Sequence, residues 1–236
     1  RAINPDIVGA LCRLADSARW DEEYFSAQIP RGAVTRACGV VFLKISDSMP
    51  EALLRRLVLC ALETAGAERT LRSVADVLSL MHGAVGRRAT LEGGVMAQRG
   101  YGEISFGVPT AFDIPFIEGT HALPCGVVHV VRVEKACFAE GVEFIDADAV
   151  PEGTRLRACA PGDTIVPLGS AGRKKITDYF ADKRVSGGRR GGTPLLCAGG
   201  AVLWAGGLGI AQSVRVCADT ERILALRWIP EETVER

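Results

Sequence analysis

Residues 172–190 read GRKKITDYFADKRVSGGRR, a concentrated block of positive charge that we call the basic segment. It holds seven cationic side chains against two aspartates, a net charge of about +5, whereas the whole chain balances 28 basic and 28 acidic residues. The seven cations are Arg173, Lys174, Lys175, Lys183, Arg184, Arg189 and Arg190. Such a block in a neutral protein marks either a solvated face or a surface for an anionic partner.

The spacing within the basic segment predicts a helix over residues 173–183, the one helix expected in the C-terminal part of the chain. Ile176 and Phe180 lie four residues apart, so they share the face that packs inward. Tyr179 flanks Phe180, which favours a core position over stacking on a nucleobase, although stacking stays open. This part of the fold is therefore expected to be a set of short strands around a single amphipathic helix.

The start of this predicted helix carries charges of the unfavourable sign. Arg173 and Lys175 would stand in the first turn, where the helix macrodipole disfavours cations, while Lys174 and Asp178 are spaced to pair. The preceding loop, residues 169–172, is rich in glycine and offers open backbone N–H groups. An anion bound at this helix start, such as a phosphate, would remove the conflict.

Upstream of the basic segment, the first hundred residues predict a mainly helical module. Helical patterns cover residues 4–28, 53–66 and 70–82. Their starts are indicated by Asn4 with Pro5 and by Ser48 with Glu51. The apolar faces expected for the first and third helices are Ile7, Leu11 and Leu14, and Leu71, Val74, Val77, Leu78 and Met81. A strand is predicted at 36–45, and a small hairpin at 89–108.

The remaining sequence completes a predicted α+β fold. Prolines and glycines with little periodicity at 109–124 indicate a linker, which continues with some strand to residue 145. Further strands are expected near Leu195 and over 202–204, 214–217 and 223–228. We therefore predict a helical N-terminal module (1–108), a linker with strand (109–145) and a small mixed α+β C-terminal module (146–236).

The composition is that of an ordinary folded protein, with 236 residues, 48% hydrophobic and 24% charged. No apolar run approaches the roughly 20 residues that span a bilayer, and the first thirty residues do not resemble a signal peptide, so we expect a cytoplasmic protein without membrane contact. The chain begins at Arg1, inside a helical pattern, and not at Met. That start favours a fragment of a longer protein over a tag scar or processing.

The eight cysteines are scattered, with no CxxC pattern and a nearest spacing of twelve residues. They predict reduced, mostly buried thiols. The three histidines form no pair with ligand spacing, so no metal site is predicted.

Motifs of enzyme chemistry are missing from the sequence. It contains no GxxxxGK[ST], GxSxG or HExxH pattern, and no SGGxDS loop for ATP pyrophosphate. The glycines of 206–209 sit between predicted strands without a following helix, which favours a turn over a phosphate site. His129 lies in an alternating strand and is expected to be structural. The residues alone thus predict no catalytic group.

The order of motifs in residues 158–211 resembles the C-terminal domain of bacterial tRNA(Ile)-lysidine synthetase. The matching motifs are Pro161-Gly162-Asp163, Pro167-Leu168-Gly169, Lys174 to Phe180, Pro194-Leu195-Leu196, and Trp204 with Gly206-Gly207. The fit is specific over about fifty residues. Upstream, Asn4-Pro5 and residues 53–100 resemble the helical substrate-binding domain of the same family through weaker motifs.

The resemblance implies a role in tRNA modification. Enzymes of this family are ATP-dependent carbon–nitrogen ligases that adenylate the wobble cytidine of a CAU-anticodon isoleucine tRNA and join lysine to it. Their chemistry, with ATP and Mg, belongs to an N-terminal domain that carries the SGGxDS loop. For this chain the resemblance therefore implies tRNA recognition, no cofactor, no catalytic residue and no activity alone.

On this basis we expect the seven cations of the basic segment to contact tRNA phosphates, with Arg87 and Arg88 extending the surface. One departure from the family pattern is the stretch 186–192, SGGRRGG, which predicts a looser loop and weaker assignments for Arg189 and Arg190. Three alternatives stay open: a solvated face, a module that docks an acidic protein surface, and a small-anion site at residues 169–172.

Overall fold

The computed structural model describes residues 6–45, 49–137, 139–231 and 233–235 and confirms the predicted α+β class. The helices of these ranges are α1 (Ile7–Ala27), α2 (Glu51–Thr64), α3 (Leu71–Met81), α4 (Ile176–Asp182) and α5 (Gly187–Arg190), with a 3₁₀ turn at Gln212–Val214. None of them combines the length and the apolar character that a membrane span needs.

The first nine strands of the described ranges lie between residues 34 and 146. They are β1 (Val34–Ala37), β2 (Val40–Lys44), β3 (Arg88–Thr90), β4 (Met96–Arg99), β5 (Glu103–Phe106), β6 (Asp113–Pro115), β7 (Gly119–Leu123), β8 (Gly126–Val133) and β9 (Val142–Asp146). The others are β10 (Arg155–Arg157), β11 (Thr164–Ile165), β12 (Lys174–Lys175), β13 (Leu195–Ala198), β14 (Ala201–Ala205), β15 (Gly209–Ile210), β16 (Ile223–Pro230) and β17 (Thr233–Glu235).

The N-terminal half is built on a six-stranded sheet in the order β17-β1-β2-β5-β4-β3, against which α2 and α3 pack. Its core includes Leu43, Leu57, Leu62 and Ile104, each of which is at most 1% exposed. At the start of α3, Thr70 Oγ1 accepts a hydrogen bond from the Ser73 N–H at 3.1 Å, which satisfies one free donor of the first turn. The last strand of the chain, β17, closes the edge of this N-terminal sheet.

The C-terminal half consists of a seven-stranded and a four-stranded sheet. The first runs β12-β11-β14-β13-β10-β6 with β15 paired to β14, and the second runs β7-β8-β16-β9. Helix α4 packs on this core through Ile176 and Phe180, which are 2% and 0% exposed, as their spacing predicts. Trp204 is fully buried beside them in the same cluster.

The segment predicted as a linker with strand, residues 109–145, supplies β6 to β9. Strand β6 pairs with β10, and β7 pairs with β8, so even the stretch 109–124 takes part in the C-terminal sheets. The strands within 109–124 were not predicted, because short strands flanked by proline leave no periodic pattern in the sequence. The division of the chain at residues 108 and 146 stays a prediction.

The helix of the basic segment begins at Ile176 and not at Arg173. Lys174 and Lys175 form β12, which pairs with Thr164 and Ile165, and the Ile176 N–H donates to the Asp163 carbonyl at 2.9 Å. A strand partner some ten residues upstream thus competes successfully with the helical pattern. The cations therefore precede the first turn of the helix, with Lys175 as its N-cap, and do not lie within that turn as predicted. Separately, residues 214–217 were predicted as a strand, but they follow on from a 3₁₀ turn and form no strand.

The apolar faces predicted for the N-terminal helices are only partly buried. Helix α1 forms, but its predicted apolar face is exposed, with Ile7, Leu11 and Leu14 at 46%, 58% and 66%. Leu71 on α3 is likewise 87% exposed, although Val74 and its neighbours one turn further are buried. The predicted caps Asn4, Pro5 and Ser48 lie outside the described residues.

Two of the eight cysteines correct the prediction of reduced thiols. Cys38, in the β1–β2 turn, and Cys125, in the β7–β8 turn, form a disulfide across 87 residues of sequence, which no local pattern reveals. It joins the two halves of the molecule. The buried Cys197 stays a free thiol, and burial raises its pKa to about 12, so it is protonated and inert at neutral pH.

Candidate functional site

The basic segment borders three cavities. Arg173 lines one of about 650 Å³ together with Gln212. Lys174 and Lys183 line a second of about 660 Å³. Arg184 and Arg189 line a third of about 500 Å³ between the two halves.

The cations that flank helix α4 point outward, because the apolar side chains of the helix are held in the core. Lys174, Lys175, Lys183 and Arg184 are all exposed. Lys174 pairs with Asp182 at 2.9 Å and not with Asp178, since Lys174 belongs to a strand. The result is a group of exposed positive charges that a polyanion can approach.

Tyr179 is a core residue, as its position beside Phe180 predicts. Its side chain is 5% exposed, and its hydroxyl donates to the Leu208 carbonyl at 2.8 Å. Burial, helped by the negative charge of Glu143, raises the pKa of the phenol. Tyr179 therefore has no free face for base stacking, although the Lys183 ammonium lies 5.7 Å from its ring centre.

The glycine-rich stretch 186–192, predicted to be a loose loop, is a tightly fitted element that we call the clasp. It contains α5 and packs on the N-terminal sheet. A Cβ atom on Gly188 would lie 2.4 Å from Ser105 Cβ, and one on Gly191 would lie 2.8 Å from Pro109 Cγ. Glycine here lets the backbone of the clasp pack directly against the side chains of Ser105 and Pro109, so the loose-loop prediction is wrong.

Hydrogen bonds fix the clasp on the N-terminal half. The Tyr101 N–H donates to Ser186 Oγ at 3.0 Å. Arg189 donates to both carboxylate oxygens of Glu103 at 2.8–3.0 Å, and its guanidinium lies 4.1 Å from the Phe42 ring centre. Sequence reasoning missed Glu103, whose one signal is a lone acid at the start of an otherwise apolar strand.

Arg190 is likewise used within the chain. Its Nε donates to the Val185 carbonyl at 3.1 Å, and its guanidinium lies 6.0 Å from the Phe180 ring centre. Arg189 and Arg190 therefore contact protein groups, whereas the cations on β12 and at the two ends of α4 point into solvent.

The second predicted cluster lies close to the clasp. Arg87 and Arg88 are exposed, and Arg88 stands opposite Gln98 in the β3–β4 ladder. Gln98 in turn approaches Gly187, where an added Cβ would lie 2.5 Å from Gln98 Oε1. A path of adjacent residues therefore connects these arginines to the basic segment.

Arg184 has a backbone conformation that glycine usually adopts. Its φ of 55° places it in the left-handed region just after α4, where its N–H donates to the Ala181 carbonyl and the Val185 N–H donates to that of Phe180. Glycine is the common residue at this position of a helix end. An arginine here carries strain, which suggests a role for its exposed side chain.

Replacing Arg184 with glycine should raise the free energy of unfolding by about 0.5–1 kcal/mol, because relief of strain outweighs the added entropy of the unfolded chain. Urea denaturation measures this change. Lys183→Gly is the matched control. Residue 183 has a φ of −83°, which any residue adopts without strain, so this variant should lower the free energy of unfolding by a similar amount. A less stable Arg184→Gly variant would contradict the strain.

The Pro161-Gly162-Asp163 motif is a structural staple. The buried Asp163 carboxylate accepts two hydrogen bonds from Arg157, at 2.7 and 2.8 Å, and one from the Ala160 N–H at 2.7 Å. Burial opposes its ionisation, but these hydrogen bonds prevail and hold the pKa of Asp163 below its ordinary value.

The loop at residues 169–172 does not offer the open amides that were expected. The Gly169 N–H donates to Gln212 Oε1, the Ser170 N–H to the Pro167 carbonyl and the Gly172 N–H to Ser170 Oγ. Three of the four amides in this loop are thus used within the chain, and the small-anion site stays a prediction. Within the described ranges, no group of three or more potential metal ligands comes together.

Comparisons with known proteins show which family this chain is similar to. Residues 154–228 match the model of the TilS substrate C-terminal domain. Along 97% of its length the chain is 24% identical to the tRNA(Ile)-lysidine synthase of Clostridium acetobutylicum, of which it covers 54%. Over 37% of its length it is 33% identical to the enzyme of the same name from Parabacteroides distasonis, of which it covers 20%.

A solved structure described as "Crystal structure of TILS C-terminal domain" is 19% identical, with a TM-score of 0.45, covering 54% of this chain and 99% of that one. The chain spans about half the length of the curated relatives that it matches along most of its own length. With residues 154–228 matching that domain and the similarity extending over nearly the whole sequence, the predicted resemblance of this chain to the C-terminal region of bacterial tRNA(Ile)-lysidine synthetases is confirmed.

Proposed function

We propose that this chain is the tRNA-recognition region of a tRNA(Ile)-lysidine synthetase, the enzyme that uses ATP to join lysine to the wobble cytidine of a CAU-anticodon isoleucine tRNA. The observation that carries the proposal is the set of exposed cations on β12 and at the two ends of α4, within a domain of the TilS C-terminal type. Neither a catalytic group nor a cofactor site is assigned to this chain. ATP and Mg belong to the remainder of the enzyme.

The contacts to RNA come from the cations that the fold leaves in solvent. These are Arg173, Lys174, Lys175, Lys183 and Arg184, with Arg87 and Arg88 on the N-terminal half. Phosphate contacts provide affinity and register but no sequence information, so discrimination between tRNAs rests on shape and on unpaired bases. Arg189 and Arg190 act indirectly, by holding the clasp and the end of α4 in place.

The pairing of Lys174 with Asp182 does not remove this surface. Both partners are about half exposed, and exposed ion pairs are worth little in water, so a phosphate can replace the carboxylate. Lys175 and Arg184 have no acidic partner in the part of the chain that the structure describes.

Charge reversal at Arg173 and Lys175 tests the proposal. The double variant should bind tRNA at least tenfold more weakly at low salt, whatever the sequence, and the slope of log affinity against log salt should become shallower by about 2. Lys135→Glu, an exposed lysine that lines none of the three cavities, should change affinity less than twofold. Unchanged tRNA affinity in a folded double variant would leave the basic segment as a solvated face or a surface for an acidic protein.

A further inference from the structure

The second cavity, bounded by α4, β9 and the β14–β15 turn, has a polar floor at Glu143 and a rim that includes Arg215, and the proposed function assigns a role to neither residue. We propose that it binds one unpaired nucleotide of the RNA, with the base edge at Glu143 and the phosphate at Lys183 and Arg215. The proposal rests on the proposed function, because the RNA supplies the nucleotide.

The floor of the cavity is rich in hydrogen-bond acceptors. Glu143 lines it, and its Oε2 atom is buried with no hydrogen-bond partner among the described residues. Tyr179 donates its hydroxyl proton to Leu208, so only lone pairs of the phenol oxygen remain for a ligand. Buried polar atoms are nearly always hydrogen-bonded, so a ligand with N–H donors is what this floor lacks.

The surroundings of Glu143 act on its carboxyl in opposite directions. Burial raises the pKa of its carboxyl, and the indole of Trp204 lowers it without cancelling that effect. The buried indole N–H of Trp204 faces this carboxyl but lies outside strict hydrogen-bonding geometry, so it satisfies Glu143 only in part. A donor from a ligand would stabilise the carboxylate in this setting.

The rim supplies a site for an anion. Lys183 and Arg215 are exposed and have no acidic partner in the chain as described, whereas Lys174 is balanced by Asp182. Arginine and lysine together are the usual ligands of a phosphate group. Lys183 is also one of the cations that we assign to the RNA backbone, so the phosphate of this nucleotide belongs to the same RNA strand.

The size and the chemistry of the cavity fit a nucleotide. Its volume of about 660 Å³ lies within the range of small-molecule sites. Unpaired bases are commonly read at their Watson–Crick edges. Cytosine presents an amino group that a carboxylate accepts from, whereas the one N–H of that edge in uracil lies between two carbonyl oxygens that repel it. We therefore expect cytosine to bind better than uracil.

The experiment compares single-stranded hexacytidylate and hexauridylate, which carry equal charge, by tryptophan fluorescence titration of the full 236-residue chain. The wild type should bind hexacytidylate at least fivefold more tightly. Glu143→Gln replaces an acceptor with a group that also donates, so the preference should fall below twofold while the salt dependence stays the same. Lys183→Ala with Arg215→Ala should weaken both oligonucleotides equally.

The outcomes separate this proposal from the one on which it rests. Salt-dependent binding of tRNA and of both oligonucleotides without preference, or a preference that Glu143→Gln retains, overturns the nucleotide site and leaves tRNA recognition intact. Absence of binding to tRNA and to both oligonucleotides overturns both proposals. Cytidine monophosphate that binds as tightly as the hexamer, without competition from tRNA, would identify a free nucleotide as the ligand and contradict the RNA source.

Discussion

Replacing Arg189 with methionine should destabilise the chain by about 2–3 kcal/mol, a large change for a single side chain at the surface of one half. Glu103 is 9% exposed at its side chain and Arg189 is 36% exposed, so removal of the guanidinium leaves a buried carboxylate without its main partner. Breaking a fully buried pair typically costs about 3–5 kcal/mol, and partial exposure reduces that figure. The contact with the Phe42 ring is lost as well.

Urea denaturation of Arg189→Met against Arg55→Met measures this effect. Arg55 forms an exposed pair with Glu51 one helical turn away, so its loss should cost no more than about 0.5 kcal/mol. Adding Glu103→Gln to Arg189→Met should recover part of the loss, because the orphaned charge is gone. Equal effects of the Arg55 and Arg189 variants would show that the clasp does not hold the two halves together.

Replacing Gly188 with alanine should cost about 2–3 kcal/mol, because the new methyl group has no space. Its Cβ would lie 2.4 Å from Ser105 Cβ and 2.5 Å from Ser105 Oγ on strand β5, so the clasp must move away from the N-terminal sheet. The same displacement would pull Arg189 from Glu103. A drop in the urea midpoint and a faster cleavage within residues 186–192 by a protease are the expected readouts.

Gly172→Ala is the matched control for this substitution. Gly172 lies in the same glycine-rich region, but the nearest atom to an added Cβ is 3.9 Å away, so its stability should change by no more than about 0.5 kcal/mol. If Gly188→Ala is as stable as Gly172→Ala, the clasp is as loose as its composition suggests.

The inward face of α4 was predictable because it depends on spacing alone. Ile176 and Phe180 are four residues apart, and the structure buries both, with Tyr179 beside them. The start of the helix was not predictable in the same way, since Lys174 and Lys175 pair with residues Thr164 and Ile165 through the backbone. Backbone pairing leaves no signature in side-chain periodicity.

Contacts between distant parts of the chain account for the other failures. Glu103 and Arg189 are 86 residues apart, and Cys38 and Cys125 are 87 apart, so nothing in either neighbourhood indicates the partner. A run of glycines is compatible with a flexible loop and also with a backbone packed tightly against another element. Here the side chain of Ser105 on β5 lies against Gly188, and this contact is not visible in the sequence. The exposed cations on either side of α4 were predictable as a group. The internal contacts of Arg189 and Arg190 were not.

Binding of the 236-residue chain to the CAU-anticodon isoleucine tRNA, against an unrelated tRNA, tests the central claim most directly. Titrations at low and at physiological salt give the affinity and its salt dependence, with a slope of about −0.9 for each duplex phosphate contacted. The account predicts steeply salt-dependent binding that favours the isoleucine tRNA. No binding to either tRNA at low salt would contradict it, and the exposed cations on β12 and at the two ends of α4 would then be a solvated face.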